Sequence, residues 1–316
     1  MKIENFKGSS DSDISPEDMV RLNNLTIIIK SERIDRPNMG DFADTFTPEK
    51  IADDQRRLSR IKSRIKEENR RLPQKEKAQK LLQKSKGEAL EVVVGQSIEL
   101  RDWLGSRAMV QRTSEYDDIV NGVDAIVEFT PDFEDEEVQR IALAVDAYSG
   151  TSPRILEQKI RKNIDKINGN TDPMRIEYFE SQIPDNNGNR YKGPLEEVIP
   201  VVIGVSGQNV EDLFEDFAKL VRLRKRGGEI NKREKELKRS LEQKITIHPV
   251  QRLFLKEIQL QLKGYLNIPG LRSSTEEEVR DILEIIEQIL EEKRDSIPHS
   301  KDVENDRILE MMKNVI

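Results

Sequence analysis

The apolar residues between Glu88 and Val205 constrain the fold of this 316-residue chain more than any other feature. A helix-length apolar stretch comes first, three short apolar segments follow, and a stretch with helical spacing precedes two more short segments. The segments of strand length are Ala108–Thr113, Val123–Phe129, Arg140–Asp146, Met174–Phe179 and Ile199–Val205. This order predicts an α/β fold with a mixed sheet, in which a helix, three strands, a helix and a strand follow one another. The last segment is apolar on both faces, so we expect it at the centre of the sheet.

On both sides of this region the sequence predicts charged helices. Thr47 and Pro48 begin a helix that Pro73 stops, because threonine caps a helix and proline fits its first turn. A second helix, Gln74–Leu104, is expected to break near Gly87. Four more helices are expected near the C-terminus, at Asn231–Lys244, His248–Leu266, Ser274–Arg294 and Val303–Met312.

These elements divide the chain into four parts. They are a flexible lead-in at 1–47 with a short strand or part of a helix at Leu25–Ile29, a basic helical arm at 48–87, an α/β core at 88–223 and a helical C-terminal region at 224–316. Leu58, Ile61 and Ile65 form a thin apolar stripe on the arm, which is typical of a projecting helix or one side of a coiled coil. A homo-oligomer would therefore form through the helical parts.

Charge is distributed unevenly along the chain, although the net charge is only -7. Glu49–Lys86 carries a local charge of about +8 and Arg222–Lys244 carries about +6. Glu115–Glu137 holds ten acidic residues and no basic one. Basic helices could bind DNA or RNA, and an acidic centre could hold Mg²⁺ or Mn²⁺. The alternative is that both basic stretches are solvated helix faces.

Residue types that the chain lacks limit its chemistry. It has no cysteine and two histidines, which excludes thiolate metal sites and cysteine nucleophiles and disfavours a histidine triad or a three-histidine zinc site. No stretch approaches the ~20 apolar residues of a membrane span, and the N-terminus lacks the core of a signal peptide. We therefore expect a cytoplasmic protein with no membrane partner, whose catalysis would depend on carboxylates, lysines and a hard metal ion.

Two carboxylates lie near the ends of neighbouring strand candidates. Asp124 is at the start of the second candidate and Asp146 is at the end of the third. A hairpin about the acidic turn Asp132–Glu137 would place Asp124 nearly opposite Asp146, where the two would repel unless a cation such as Mg²⁺ lay between them. Each residue has an alternative: Asp146 could cap the following loop, and Asp124 could belong to the turn before its strand.

The element order over 88–205 and the residues Asp124 and Asp146 resemble the PD-(D/E)XK nuclease superfamily, which has the restriction-endonuclease-like fold. The sequence that carries the resemblance is Glu115, Gly122-Val-Asp-Ala-Ile-Val127 and Ala144-Val-Asp146. The resemblance implies a nuclease-like αβββαβ core in which Asp124 and Asp146 bind Mg²⁺ or Mn²⁺. It also implies an accessory ligand, either Glu115 or Asp118.

The catalytic lysine of that superfamily is the one departure from the pattern. It follows the second acid by two residues, and Tyr148 occupies that position here. Lys159 or Lys162, on the following helix, would take its place. We therefore expect a metal-dependent phosphodiesterase that acts on DNA or RNA. The alternative is a catalytically inactive binding or scaffold protein that keeps the nuclease-like core and uses its basic helices for nucleic-acid or protein contact.

Overall fold

The chain forms a mixed α/β fold around a four-stranded sheet in the computed structural model, which describes residues 15–130, 141–150, 152–185, 187–226 and 231–316. The strands are β1 (Ala108–Arg112), β2 (Ala125–Phe129), β3 (Ile141–Tyr148), β4 (Ile176–Pro184), β5 (Arg190–Leu195) and β6 (Ile199–Gly204). The main sheet has the order β1-β2-β3-β6, in which β1, β2 and β3 are antiparallel neighbours and β6 is parallel to β3. β4 and β5 pair only with each other.

Helices make up most of the remaining described chain. They are α1 (Pro16–Lys30), α2 (Pro48–Arg71), α3 (Gln74–Arg101), α4 (Pro153–Ile167), α5 (Gly207–Lys225), α6 (Lys232–Thr246), α7 (Val250–Leu266), α8 (Ser273–Glu292), α9 (Lys301–Glu304) and α10 (Arg307–Lys313). The Thr47 side chain accepts a hydrogen bond from the Lys50 amide at the start of α2, as the Thr-Pro pair predicts. Within the described ranges, none of these helices combines the length and apolarity that crossing a bilayer requires.

Both faces of the main sheet are covered. On one face, Val127, Leu143 and Val201 belong to a single large core shared with α3, α5, α7 and α8. On the other face, β4 and β5 pack over one end of the sheet, and α4 and α10 pack over the other. Because Phe254 of α7 and Ile282 of α8 lie in the same large core, these two C-terminal helices pack onto the α/β core.

The strand β6 lies at an edge of the sheet, and the expectation that it is central is wrong. Side chains four residues apart on α7 bond its outer backbone edge in place of a neighbouring strand. Tyr265 donates to the Pro200 carbonyl (2.8 Å), Gln261 bonds both the Val202 carbonyl (2.7 Å) and amide (2.9 Å), and Glu257 accepts from the Gly204 amide (2.8 Å). The edge is therefore buried and satisfied without a strand beside it.

The structure decides one alternative and differs from the sequence prediction at two other places. The segment Leu25–Ile29 is part of a helix, α1, and not a short strand, and this helix lies within the predicted lead-in. Helix α3 continues through Gly87 without a break and ends at Arg101. The strand β5 was not expected from the sequence. The acidic turn Asp132–Glu137 lies outside the described residues.

Candidate active site

A cleft of about 750 Å³ lies between α2, α3 and the ends of β2 and β3. Its lining includes eight basic and six acidic side chains from the described residues. Asp124, Asp146 and Lys159 line it together, as do Glu115 and Asp118. Five of the six residues that the sequence singled out thus share one cleft, and only Lys162 is absent from its lining.

The hairpin of β2 and β3 brings the two aspartates together. Ala125 pairs with Val145, so Asp124 and Asp146 occupy the next pair of positions, as a symmetric hairpin predicts. The Asp124 amide donates to the Val145 carbonyl at 3.0 Å, and the Ala147 amide donates to Asp124 Oδ2 at 2.7 Å. Asp124 therefore bonds across the hairpin, and its side chain is fixed at the cleft by backbone on the neighbouring strand.

The electrostatic environment of Asp124 opposes its ionisation. Burial raises the pKa of Asp124 well above its ordinary value, and the nearby carboxylates of Asp146, Glu91 and Asp118 raise it further. The hydrogen bond from the Ala147 amide acts in the opposite direction and is the smaller effect. A cation that reached Asp124 would relieve this repulsion.

The lysine that reaches the aspartates is Lys159. Its Nζ forms an ion pair with Asp146 Oδ2, and the two side chains are 34% and 16% exposed, so the pair is accessible from the cleft. The Tyr148 side chain is buried instead, and its hydroxyl bonds the Ser152 carbonyl (2.9 Å) and amide (3.1 Å). Asp146 therefore pairs with a helix lysine, and the alternative of a loop-capping role has no hydrogen bond to support it among the described residues.

Lys162 lies elsewhere on α4. Its side chain is exposed and lies beside Gly122, where its Nζ is 3.7 Å from the position that a Cβ would occupy. Together with burial, which is the larger cause, its charge lowers the pKa of Lys166 to about 8. The sequence left Lys159 and Lys162 as equal candidates, and the structure brings only Lys159 to the aspartates.

Glu115 and Asp118 pair with cations rather than with the two aspartates. Glu115 bonds Lys62 of α2 at 2.8 Å, and Asp118 bonds Arg36 at 2.9 Å. Both carboxylates thus attach surrounding segments to the rim of the cleft. Asp118 still acts on Asp124 through its charge.

Glu91 of α3 is a cleft residue that the sequence argument missed. Its side chain is 13% exposed and lies 3.2 Å from Arg33 and 3.5 Å from Arg112. Burial raises the pKa of Glu91, the charge of Asp118 raises it further, and the arginines oppose both effects. Burial also lowers the pKa of Arg112 to about 10. The signal in the sequence was a lone carboxylate inside the apolar stretch of α3.

The two basic stretches have different places in the structure. Lys62, Lys66 and Arg70 of α2 form one wall of the cleft, and Lys77 and Lys84 of α3 form part of the other. In the second stretch, none of the described basic residues lines the cleft, and four of them form ion pairs with carboxylates elsewhere. The pairs include Arg224 with Glu242 (3.3 Å), Lys225 with Glu32 (2.9 Å) and Lys244 with Asp216 (2.6 Å).

Asp124 and Asp146 are the side chains that could hold a hard cation in this cleft. Within the described ranges, no group of three or more His, Cys, Asp or Glu side chains is arranged to hold a metal ion. Mg²⁺ commonly binds one or two carboxylates and completes its shell with water and substrate phosphate. A cation held by Asp124 and Asp146 would reduce the repulsion that raises the pKa of Asp124.

Comparison of the chain with protein-family models, with curated proteins and with solved structures found no match.

Proposed function

We propose that the protein is a metal-dependent phosphodiesterase acting on nucleic acid, with a nuclease-like core and its active site at Asp124 and Asp146. The observation that carries the proposal is the convergence of Asp124, Asp146 and Lys159 in a cleft with basic helical walls. Carboxylates that hold a divalent ion, an ammonium group and a basic surface are the parts that phosphodiester hydrolysis requires.

Each part of the cleft would have a distinct task. Asp124 and Asp146 would hold Mg²⁺ or Mn²⁺, which supplies Lewis-acid polarisation of the phosphate and acidifies water. Lys159 lies against Asp146 and would donate to a phosphate oxygen as negative charge develops on it. The Ala147 amide keeps Asp124 oriented, which preserves the geometry of the site between turnovers.

Lys159 and Lys162 provide a matched pair of variants that test this proposal. Labelled DNA and RNA, single-stranded and duplex, should be cleaved in Mg²⁺ or Mn²⁺ and not in EDTA. Lys159→Ala should reduce the rate by about 100-fold or more, because it removes a charge-stabilising donor. Lys162→Ala removes an equal charge from the same helix outside the cleft, and it should leave the rate within about twofold. Equal rates for the two variants would reject the proposed site.

A binding protein without catalysis is the second candidate. The ion pair between Lys159 and Asp146 favours it, because a cleft whose carboxylates already have protein partners is stable without a metal ion. This candidate predicts nucleic-acid binding that weakens steeply with salt and no cleavage with any divalent cation. Binding that does not change with salt would contradict it.

A further inference from the structure

The dimensions of the cleft restrict what can enter it. Its α3 wall runs from Lys77 to Glu91, which is a length of ~20 Å at the rise of an α-helix. The centres of water-sized spheres can occupy about 750 Å³ over that length, so the cleft is roughly 9 Å across once a water radius of ~1.4 Å is added on each side. The major groove of a DNA duplex is by itself about 12 Å wide, so a whole duplex is much wider than this cleft.

The charges along the cleft are not equally available to a ligand. Near the aspartates, cations are neutralised by protein carboxylates, as in the pairs of Arg33 with Glu91 and Arg36 with Asp118. Toward the junction of α2 and α3, Lys66 and Lys77 have no ion pair within the described part of the chain. We call Lys66 and Lys77 the junction lysines. A backbone phosphate could bind these lysines without displacing a protein carboxylate.

The apolar part of the lining points to unpaired bases. Ile65, which is 39% exposed, and Ile119 line the same cleft, and none of the aromatic side chains that the structure describes lines it. Base faces are accessible in a single strand and are stacked in a duplex. An isoleucine that contacts a base face forms no hydrogen bond with the base edge, so this contact would not select a sequence.

From the width of the cleft, its junction lysines and its aliphatic lining, we infer that it takes single-stranded nucleic acid and excludes duplex. The phosphate backbone would pass the junction lysines and reach the aspartates at the other end. This inference deepens the proposed function, on which it rests for the position of the reacting phosphate. DNA and RNA share the chemistry involved, and the test distinguishes them.

Binding can be measured separately from cleavage. The Asp146→Asn variant in EDTA should bind a labelled 20-nucleotide single strand at least about tenfold more tightly than the corresponding duplex, by fluorescence anisotropy. DNA and RNA versions of both probes identify the preferred backbone. In the same background, Lys66→Glu with Lys77→Glu should weaken single-strand binding by about tenfold or more. Lys301→Glu with Arg307→Glu, which changes the net charge equally on exposed residues of the C-terminal helices, should change it by less than about twofold.

The outcomes separate this inference from the proposed function. Equal or tighter binding of duplex, equal effects of the two double variants, or no binding of either probe would overturn the single-strand inference. Cleavage of duplex alone would also overturn it while leaving the phosphodiesterase proposal in place. Tight single-strand binding by the Asp146→Asn variant, together with no cleavage by wild type in any divalent cation, would support the inference and reject the proposed catalysis.

Discussion

Burial and three neighbouring carboxylates all raise the pKa of Asp124. The native state disfavours the charged form of this side chain, whereas the unfolded chain does not. An aspartate with only a structural role would rarely be kept beside Asp146, Glu91 and Asp118 at such a cost. Residues that destabilise a protein in this way are concentrated at functional sites.

Asp124→Asn should therefore make the protein more stable at alkaline pH. A raised native pKa means that the wild-type chain loses stability as pH rises through that value, while asparagine has no charge to lose. The difference in free energy of unfolding between the variant and wild type should therefore grow, in favour of the variant, by about 1 kcal/mol or more as the pH is raised from 4 to 8. Asparagine Oδ1 can still accept from the Ala147 amide, so the fold should be kept.

Chemical denaturation at several pH values measures this difference. Mg²⁺ should raise the melting temperature of wild type and leave that of Asp124→Asn unchanged, because only the charged side chain gains from the ion. A pH-independent difference between the two proteins would contradict the electrostatic argument. An equal response to Mg²⁺ would contradict the assignment of the cation to Asp124.

The sequence predicted the aspartates better than it predicted their partners. Asp124 and Asp146 followed from strand order and hairpin symmetry, which depend on local pattern. The choice between Lys159 and Lys162 could not be made, because both flank the apolar stripe of α4 and only its packing decides which one faces the sheet. Arg33 and Arg36 come from a segment taken as a flexible lead-in, so no local pattern connected them to the cleft.

At the scale of elements, α7 explains how an edge strand can be apolar on both faces. Tyr265, Gln261 and Glu257 follow one another at intervals of four residues, which places them on one side of the helix along β6. Apolarity on both faces indicates burial, and burial by strands or by a helix gives the same pattern. The position of β6 therefore could not be predicted from its own sequence.

Glu257 is the member of this helix side that should respond to pH. It is fully buried, one of its oxygens accepts from the Gly204 amide, and the other has no partner among the described residues. Burial raises the pKa of Glu257 well above its ordinary value, and Asp306 raises it further. Wild type should therefore lose stability as pH rises through this native value.

Glu257→Gln should remove that loss. Its free energy of unfolding should lie within about 1 kcal/mol of wild type at pH 5 and exceed it by about 1 kcal/mol or more at pH 8, as seen in urea titrations. Glu257 is not in the cleft, so its variant should keep the wild-type response to Mg²⁺ and serve as the control for Asp124→Asn. A variant that is less stable than wild type at pH 8 would show that Glu257 is ionised and paired.

At the scale of the whole molecule, the local distribution of charge is more informative than the net charge. The net charge of -7 disfavours contact with a polyanion, yet the α2 and α3 walls place basic side chains along the cleft that contains the aspartates. The sequence predicted the helix start at Thr47 and the mixed α/β class correctly. It did not predict that Lys225 and Lys244 of the second basic stretch would pair with carboxylates away from the cleft, because those partners are distant in sequence.

The boundaries between the parts of the chain also could not be predicted from local sequence. Composition separated an arm, a core and a helical C-terminal region, but α3 spans the first boundary and α7 and α8 complete the core. Contacts between residues far apart in sequence decide these questions. Strand pattern and helix capping are local, which is why they were predicted more accurately.

The most direct measurement is the single-turnover rate at which the purified protein cleaves a labelled single-stranded oligonucleotide in Mn²⁺. The Asp124→Asn, Asp146→Asn double variant should fold, as judged by its melting temperature, and should cleave at least about 1,000-fold more slowly than wild type. Asp172→Asn, an exposed change outside the cleft, should retain the wild-type rate. Cleavage by the double variant at the wild-type rate, or wild-type cleavage that persists in EDTA, would contradict the assignment of catalysis to Asp124 and Asp146.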